Sequence, residues 1–266
     1  MYVHGNNLEQ KENHRTKYRD AKSKLYLKEI RTRYDKWKEN NEKLSGPTKI
    51  TSTKDKNILK KRVALLNEYK NFLDQQHYAE KFDSRSNLHS SVLEEFMYYL
   101  FRDLVESISN NALIGKSHSF KDIFFRASNY EEMVKKPHAL IEVKDHDFSI
   151  GASITATMQC RGSNELEIHA WDLPAIAIEC KTYLDKTMLQ DVSTAAAQLK
   201  QKNPNALYLV VSEWLKLTES VNLKKYKIDQ IYILRKQKNT DREFVMLLNT
   251  IKIQFIQRLL YIYMIL

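Results

Sequence analysis

The sequence predicts an α/β fold with a mixed β-sheet, and three observations in its second half carry this prediction. Residues 175–178 form an unbroken apolar run, which is typical of a strand buried on both faces. Residues 206–211 form a second such run, and residues 186–202 between them repeat apolar side chains at helical spacing. Because a strand–helix–strand connection brings its two strands together in parallel, these segments predict the centre of the sheet. The 266 residues, of which 42% are hydrophobic, suffice for such a core.

A helical hairpin is predicted before this core. Residues 11–44 have apolar and aromatic side chains at helical spacing and carry 12 Lys or Arg against 6 Asp or Glu, which predicts one long helix with a basic face. Such a face is typical of a solvated surface or of contact with phosphates. Gly46-Pro47 indicates a turn, and a second helix is predicted from about residue 54 to residue 80. We therefore interpret residues 1–84 as a helical N-terminal region for DNA or subunit contacts.

A third helix is predicted to begin at Ser91, because Ser91-x-x-Glu94 fits a capping box. At about 100° per residue, Glu94 lies on the flank of the apolar face and Glu95 points nearly opposite, to solvent. Glu94 is therefore the glutamate expected to reach a functional site, although capping alone explains its presence equally well.

Two segments before the buried strand alternate apolar and polar residues, as half-buried strands do. Residues 152–159 and 165–171 show this period of two and predict an antiparallel ribbon that leads into the strand. Residues 110–144 show no clear pattern. Beyond the strand, Asp185 is predicted to cap the following helix, and residues 227–234 predict a further strand.

Two opposite charges end the buried strand, and their placement predicts a chemical site. Side chains alternate along a strand, so Glu179 and Lys181 project to one face and Cys180 to the other. Burying an acid and an amine at this position costs free energy unless a ligand interacts with them. A divalent metal would bind the acid, and a phosphate would bind the amine. Mg²⁺ bound by carboxylates neutralises phosphate charge and lowers the pKa of bound water. We therefore predict phosphodiester hydrolysis, with Glu179 and the Cys180 backbone carbonyl as metal ligands and Lys181 orienting the water and holding the phosphate.

A second carboxylate is needed on a neighbouring strand, and three aspartates are candidates. Asp172 lies seven residues before Glu179, which separates the two by about 23 Å on a continuous strand, too far to share a metal unless Pro174 breaks the strand. Asp147 starts a segment that can face the end of an adjacent strand and is the preferred candidate. Asp145 is two residues before Asp147, so its side chain would project to the same face of the strand, and it is the second choice.

The set of Glu94, Asp147 and Glu179-x-Lys181 resembles the PD-(D/E)xK nuclease superfamily. That superfamily combines an acidic residue on a helix, an Asp on one strand and (Asp/Glu)-x-Lys on the next. Two features depart from its pattern: no Pro precedes Asp147, and the interval from Asp147 to Glu179 is long. The resemblance implies that all four residues are catalytic and that Asp147 and Glu179 bind the metal.

Three segments are also similar to Type II restriction endonucleases, in particular to those that cut an asymmetric site with two related subunits. The segments are residues 91–96, 144–151 and 178–188, and the similarity covers roughly residues 88–212. The resemblance implies a restriction-endonuclease-like nuclease core, assigned to residues 85–249. It further implies Mg²⁺-dependent cleavage of double-stranded DNA at a specific sequence by a homodimer or by a heterodimer with a related subunit.

Composition agrees with a nucleic-acid partner and disfavours other classes. The net charge of +10 indicates a polyanionic partner, with nucleic acid ahead of an anionic membrane. The longest apolar run is shorter than the roughly 20 residues that a membrane-spanning helix needs. Cys160 and Cys180 form no zinc or disulfide pattern, and no glycine-rich phosphate loop is present. With no signal-like apolar segment at the start, the cytoplasm is the predicted location.

The sequence leaves three alternative functions to consider, and it leaves the nature of residues 250–266 undecided. A repair or recombination nuclease could use the same core on a structural DNA target, and a DNA-binding subunit could keep the fold with weak catalysis. A helical scaffold protein is disfavoured by the charged end of the buried strand. Residues 250–266, rich in Ile and Leu, are predicted either as a helix docked on the core or as a non-native end.

Overall fold

The computed structural model describes residues 2–48, 52–82, 86–217 and 221–235. The end of the predicted nuclease core at residue 249 and the predicted tail at 250–266 lie outside these residues. In chain order, the described elements are helices α1 (Val3–Glu12), α2 (Ala21–Glu42), α3 (Thr53–Leu73), α4 (Gln76–Lys81) and α5 (Leu88–Glu106), strand β1 (Leu113–Phe125), helix α6 (Tyr130–Lys135), strands β2 (Ala139–Gln159) and β3 (Leu166–Leu184), helix α7 (Lys186–Lys202), strand β4 (Leu207–Leu215), a 3₁₀ turn (Leu223–Lys225) and strand β5 (Gln230–Ile233).

The five strands form one mixed sheet in the order β1-β2-β3-β4-β5, which confirms the predicted α/β class. Strands β1, β2 and β3 pair antiparallel as neighbours, whereas β3, β4 and β5 run parallel. The antiparallel register puts Phe148 opposite Ile178, and the parallel register puts Lys181 beside Ser212. The predicted ribbon and the predicted parallel neighbours are therefore both present.

Strand β3 is buried on both faces, as its apolar run predicts. Ile176, Ile178 and Cys180 pack into a large core shared with α5 and the N-terminal helices. Ala177 faces the other way, into a smaller core formed with α7. Because alternate side chains of one strand serve two cores, the sheet is the middle layer between helices on both sides.

A β-bulge, and not a break, accommodates Pro174 in β3. The register passes from Ile150 opposite Ile176 to Gly151 opposite Pro174, so Ala175 is left over on the β3 side. A Cβ atom at Gly151 would lie 2.2 Å from the Leu173 carbonyl oxygen, so this close approach requires glycine. Strand β3 therefore runs on through Pro174, and the 19-residue strand keeps Asp172 far from Glu179.

Helix α7 begins and ends as the sequence predicts. The Asp185 side chain accepts a hydrogen bond from the Met188 backbone N–H at 2.8 Å, which caps the helix. The helix ends at Lys202, two residues before Pro204, and its Ala195 and Ala196 pack on the sheet. The small alanine side chains let the helix approach the strands closely.

The N-terminal helices differ from the prediction of one long helix at residues 11–44. The chain forms α1 and α2 there, separated by residues 13–20, and Asp20 caps α2 by accepting from the Ser23 N–H at 2.9 Å. The predicted second helix is interrupted once, between α3 and α4. The apolar faces of these helices join the core of α5, so the described N-terminal helices and the sheet share one hydrophobic core.

Helix α5 corrects two sequence-based expectations. It begins at Leu88, so Ser91 lies inside the first turns and not at the cap, and the capping-box prediction is wrong. The Glu95 side chain is buried and not exposed to solvent, because α1 lies against that side of α5. Glu95 accepts hydrogen bonds from the backbone N–H groups of His4 and Gly5 and from two tyrosine hydroxyls, those of Tyr34 and Tyr99.

His4 connects α1 to two other helices and makes stability depend on pH. Its fully buried ring lies 2.8 Å from the Ser91 hydroxyl and 2.6 Å from the Tyr69 hydroxyl. Burial, aided by the positive charge of Lys70, lowers the pKa of His4 well below its ordinary value. The unfolded chain therefore binds a proton below about pH 6.5 that the folded chain resists.

We expect the free energy of unfolding to fall as pH drops below about 6.5, by up to about 1.4 kcal/mol per pH unit from His4 alone. This contribution is complete above pH 6.5, where both states are neutral at His4. Urea unfolding of wild type and His4→Gln between pH 7.5 and 5.0 measures it. The variant should lose part of the slope, since buried His146, whose pKa burial lowers to about 4, adds a term of the same sign to both proteins. Equal slopes in the two proteins would contradict the assignment.

No helix in the described part of the chain is long and apolar enough to cross a membrane.

Candidate active site

A cavity of about 710 Å³ lies where β3 leaves the core, beside α5 and α7. The four residues predicted to be catalytic all line it: Glu94, Asp147, Glu179 and Lys181. The sequence places these residues on three different elements, and the sheet register and the packing of α5 bring them to one cavity.

Asp147, Glu179 and Lys181 meet because β2 and β3 are antiparallel neighbours. With Phe148 opposite Ile178, Asp147 and Glu179 stand opposite each other on adjacent strands. The Lys181 Nζ atom lies 2.7 Å from Glu179 Oε1 and 3.7 Å from Asp147 Oδ2. The Cys180 backbone N–H donates to Asp147 Oδ2 at 2.9 Å, which fixes that carboxylate against β3.

Glu94 reaches the same cavity from α5. Its side chain is buried, and Oε2 lies 3.1 Å from the Nζ of Lys116 on β1. Burial raises the pKa of Glu94, while the charges of Lys116 and Lys181 oppose that shift. The predicted choice of Glu94 over Glu95 for the cavity agrees with this placement.

Asp147 and Glu179 share one lysine, Lys181, while Glu94 pairs with Lys116. Burial, together with the negative charge of Glu179, raises the pKa of Asp147 to about 7. Burial disfavours the charged form of Lys181, but the charges of Glu179 and Asp147 outweigh it, so the Lys181 pKa is raised. Lys181 is therefore a permanent ammonium at neutral pH, and additional positive charge would stabilise the acids.

The Cys180 side chain is separate from this chemistry. Its thiol is buried in the large core, and burial raises the pKa of the thiol well above its ordinary value. Only the backbone of Cys180 borders the acids, through the N–H that binds Asp147. The sequence predicts the Cys180 backbone carbonyl, and not the thiol, as a metal ligand, and this carbonyl lies at the same end of β3 as the acids.

The two alternative aspartates have other partners. Asp145 is exposed and pairs with the ring of His118 at 2.6 Å. Asp172 accepts from the His118 backbone N–H at 2.7 Å and from the Ser153 hydroxyl at 2.6 Å. Neither lines the cavity, so the structure brings Asp147, and not these two, to Glu179.

Two residues that contact the acids of the cavity, Tyr208 and Lys116, were missed in the sequence. The Tyr208 hydroxyl on β4 donates to Glu179 Oε2 at 3.2 Å, and a hydroxyl inside the apolar run 206–211 was the available signal. Nothing in the sequence indicated a role for Lys116, because β1 lies within residues 110–144, which show no clear pattern. Its position beside Glu94 arises from the contact between α5 and β1.

The donor atoms suit a hard divalent cation. Within the described ranges, no group of three or more His, Cys, Asp or Glu side chains is compact enough to hold a metal ion, and the Lys181 ammonium bridges two of the acids instead. However, Glu94, Asp147 and Glu179 offer carboxylate oxygens, the ligands that Mg²⁺ prefers. Burial and the negative charges of Glu179 and Glu94 raise the pKa of Asp147, and the charge of Lys181 offsets only part of this shift. The residues therefore fit a metal, provided that Lys181 shifts as the metal binds.

Comparisons with known proteins agree with this site. The family model described as Bpu10I restriction endonuclease matches residues 85–265. A solved structure titled "native BbvCI A2B2 tetramer at low resolution" has a similar fold, with a TM-score of 0.71 and 21% sequence identity over 98% of this chain and 93% of that chain. Comparison with curated proteins gives no match.

The family match includes Glu94, Asp147, Glu179 and Lys181 and spans well over half of the 266 residues. It confirms the resemblance to Type II restriction endonucleases that these residues predict. The chain therefore belongs to the Bpu10I restriction endonuclease family and is a Type II restriction endonuclease.

Proposed function

We propose that this enzyme hydrolyses DNA phosphodiester bonds with Mg²⁺ at a specific double-stranded sequence and so restricts foreign DNA. The observation that carries the proposal is the meeting of Glu94, Asp147, Glu179 and Lys181 in a single cavity. The cytoplasm, where incoming DNA is accessible, is the proposed place of action.

Each residue has a proposed task that follows from its contacts. Glu179 and Asp147 would hold the metal, together with the Cys180 backbone carbonyl, and Glu94 would add a carboxylate from α5. The bound ion would supply charge neutralisation at the phosphate and a more acidic water. Lys181, kept charged by the two acids, binds a phosphate oxygen and orients the attacking water by electrostatic attraction and not as a base.

The Tyr208 hydroxyl is proposed to fix the rotamer of Glu179. Burial and the charge of Glu179 raise the pKa of Tyr208, so its hydroxyl remains a donor at every working pH. The hydrogen bond to Oε2 leaves Oε1 turned toward Lys181. Preorganised carboxylates bind a metal with less loss of conformational freedom.

We expect Tyr208→Phe to lower the cleavage rate by about 10-fold and to raise the Mg²⁺ concentration needed for half-maximal rate, because Glu179 loses the hydrogen bond that orients it. Initial rates of plasmid cleavage across a Mg²⁺ titration measure both effects. Tyr130→Phe, at an exposed site on α6, is the matched control and should behave as wild type. An unchanged Mg²⁺ dependence in Tyr208→Phe would remove Tyr208 from the site.

The proposed partners are double-stranded DNA and a second subunit. The similar BbvCI structure is an A2B2 tetramer by its title. For this chain we propose a homodimer or a heterodimer with a related subunit, because one chain carries one such cavity among its described residues and two strands must be cut.

Residues 85–249 are proposed as the nuclease core. Residues 1–84 are proposed for DNA or subunit contacts, with the exposed lysines and arginine of α2, such as Lys24, Lys28 and Arg33, along the phosphates.

The proposal is tested by incubating the full-length chain with supercoiled plasmid, alone and with a related subunit, in Mg²⁺ or in chelator. Discrete fragments or site-specific nicks that appear only with Mg²⁺ are expected, and sequencing of the ends gives the target. Preference for branched substrates would favour a repair or recombination nuclease. Metal-independent binding without cleavage in any combination would favour a DNA-binding subunit and overturn the proposal.

A further inference from the structure

Helix α1 presents side-chain amides on the face that is turned away from the core. Its residues 3, 6, 7 and 10 follow one another at helical spacing, and none of the four is among the buried residues of the helix. Three of them are Asn6, Asn7 and Gln10. Together with Asn87, which precedes α5, they line a cleft of about 230 Å³. We call this space, with its four amide residues, the amide cleft.

The amide cleft is continuous with the catalytic cavity. Asn87, Glu94 and Lys116 line both spaces. Because Glu94 is one of the acids of the cavity, the cleft begins beside the proposed metal ligands. Base pairs follow one another at about 3.4 Å along a duplex. A duplex whose scissile phosphate lies beside Glu179, as the proposed function requires, therefore has its nearest base pairs close to the amide cleft.

Several hydrogen-bonding groups of the amide cleft are available to a ligand. Asn6 and Gln10 are exposed, and neither side-chain amide has a hydrogen-bond partner among the residues that the structure describes. Asn7 is fixed instead, because its Oδ1 accepts from the Nζ of Lys11 at 2.7 Å, which leaves its N–H groups as donors. The face of α1 in the cleft thus offers two complete amides and one oriented donor group.

A buried network outside the catalytic cavity holds α1 in place. Glu95 of α5 accepts from the backbone N–H groups of His4 and Gly5. Arg31 of α2 donates to the Gly5 carbonyl at 3.2 Å and to Glu12, at the other end of α1, at 2.9 Å. Side chains that read a ligand through hydrogen bonds need rigid support of this kind. The network therefore suits a recognition role for α1.

The chemistry of the amide cleft favours the edges of bases as its ligand. An amide carries a donor and an acceptor side by side, and Asn and Gln pair in this way with N6 and N7 of adenine in the major groove. The four α1 residues that line the cleft are uncharged, so this face offers phosphates little attraction. Bases, and not the backbone, are the part of DNA that this face fits.

Two other classes of ligand fit the amide cleft less well. Its volume of about 230 Å³ lies below the roughly 300–1,000 Å³ of sites that enclose drug-sized molecules. A protein partner would need an apolar centre of contact, and Val3 is the one apolar residue that lines the cleft in the described part of the chain.

We propose that the amide cleft reads base edges of the DNA target beside the scissile phosphate, with Asn6 and Gln10 as specificity-determining residues. The two residues are four positions apart, which puts their Cβ atoms about 5–6 Å from each other on one face of the helix. This spacing suits contacts with neighbouring base pairs, and Asn7 adds an oriented donor beside them. The inference rests on the proposed function, which puts DNA in the catalytic cavity.

The test compares the base preferences of the full-length chain with those of Asn6→Ala/Gln10→Ala. All proteins also carry Glu179→Ala, so that bound DNA stays intact. Each protein, alone and with a related subunit, is incubated with a pool of duplexes that have a randomised central segment, and the bound duplexes are sequenced. The parent should enrich a defined sequence. The double variant should lose preference at one or two positions by at least about 5-fold, the low end of what one bidentate contact supplies, and keep the others.

Two controls separate recognition from folding. Gln201→Ala removes an exposed amide in the last turn of α7, outside both spaces, and should leave the enriched sequence unchanged. The double variant should unfold in urea at a midpoint close to that of its parent, because alanine favours a helix and the two amides have no described partner to lose. Asn6→Ala and Gln10→Ala made singly should each relax a different position, which repeats the test with a smaller change.

Three outcomes would overturn the inference. The double variant could enrich the same sequence as strongly as its parent. It could bind every sequence more weakly with its preferences unchanged. The parent could enrich no sequence in either form. Plasmid cleavage by the chain with Glu179 intact separates this failure from that of the proposed function. Cleavage at a discrete site with preferences that the double variant shares contradicts this inference alone, whereas a chain that never cuts, but whose base preference changes in the double variant, contradicts the nuclease proposal alone.

Discussion

Glu179→Ala is expected to lower the rate of DNA cleavage by at least about 10³-fold, the scale on which loss of a central charged group slows an enzyme. Both carboxylate oxygens of Glu179 have partners: its Oε1 accepts from Lys181 and its Oε2 accepts from Tyr208. Without it, the metal loses a ligand, and Lys181 and Tyr208 lose the group that orients them. Initial rates on plasmid DNA with saturating Mg²⁺ measure the effect.

The same substitution should barely change stability, which separates a functional role from a structural one. Removing Glu179 removes its repulsion of Asp147, which offsets the loss of the ion pair with Lys181 and of the hydrogen bond from Tyr208. The midpoint of urea unfolding should therefore stay close to that of wild type. Glu165→Ala, at an exposed position before β3, is the control and should retain full activity. A Glu179→Ala protein that cuts at a rate near wild type would eliminate Glu179 as a metal ligand.

Glu95→Ala is expected to destabilise the protein by about 3–5 kcal/mol, the usual cost of leaving buried partners of a charged group unpaired. Four donors converge on this carboxylate: the backbone N–H groups of His4 and Gly5 and the hydroxyls of Tyr34 and Tyr99. They come from α1, α2 and α5, so the substitution should loosen the attachment of α1 in particular. Urea or thermal unfolding measures the loss.

Glu95→Gln provides a graded comparison, because the amide keeps one acceptor oxygen of similar shape. Burial raises the pKa of Glu95 while the hydrogen bonds oppose the shift, so a neutral side chain is tolerated in part, and we expect a cost of about 1–3 kcal/mol. Glu106→Gln, at the exposed end of the same helix, should cost less than about 0.5 kcal/mol. If Glu95→Ala were as stable as Glu106→Gln, the buried network would carry no net stability.

The sequence by itself determined the centre of the fold and the set of Glu94, Asp147, Glu179 and Lys181 that lines the cavity. The apolar run before Glu179 and the helical pattern after Asp185 identified β3, α7 and β4, because burial on two faces and capping are local properties that leave a local signal. Strand parity put Glu179 and Lys181 on one face. Geometry along one strand disfavoured Asp172, and the alternating segment beginning at Asp147 selected the aspartate that the register puts opposite Glu179.

The tertiary structure alone decided what each helical face and each strand edge meets. Periodicity predicted that Glu95 faces away from the apolar stripe, but it could not report that α1 would cover that side and supply donors from 90 residues away. For the same reason Lys116 escaped notice, since its role depends on β1 passing beside α5. The path of β3 through Pro174 also depends on a partner strand, whose Gly151 admits the bulge. Contacts between distant segments are set by packing of the whole chain, and a local pattern records only whether a residue is buried, not its neighbour.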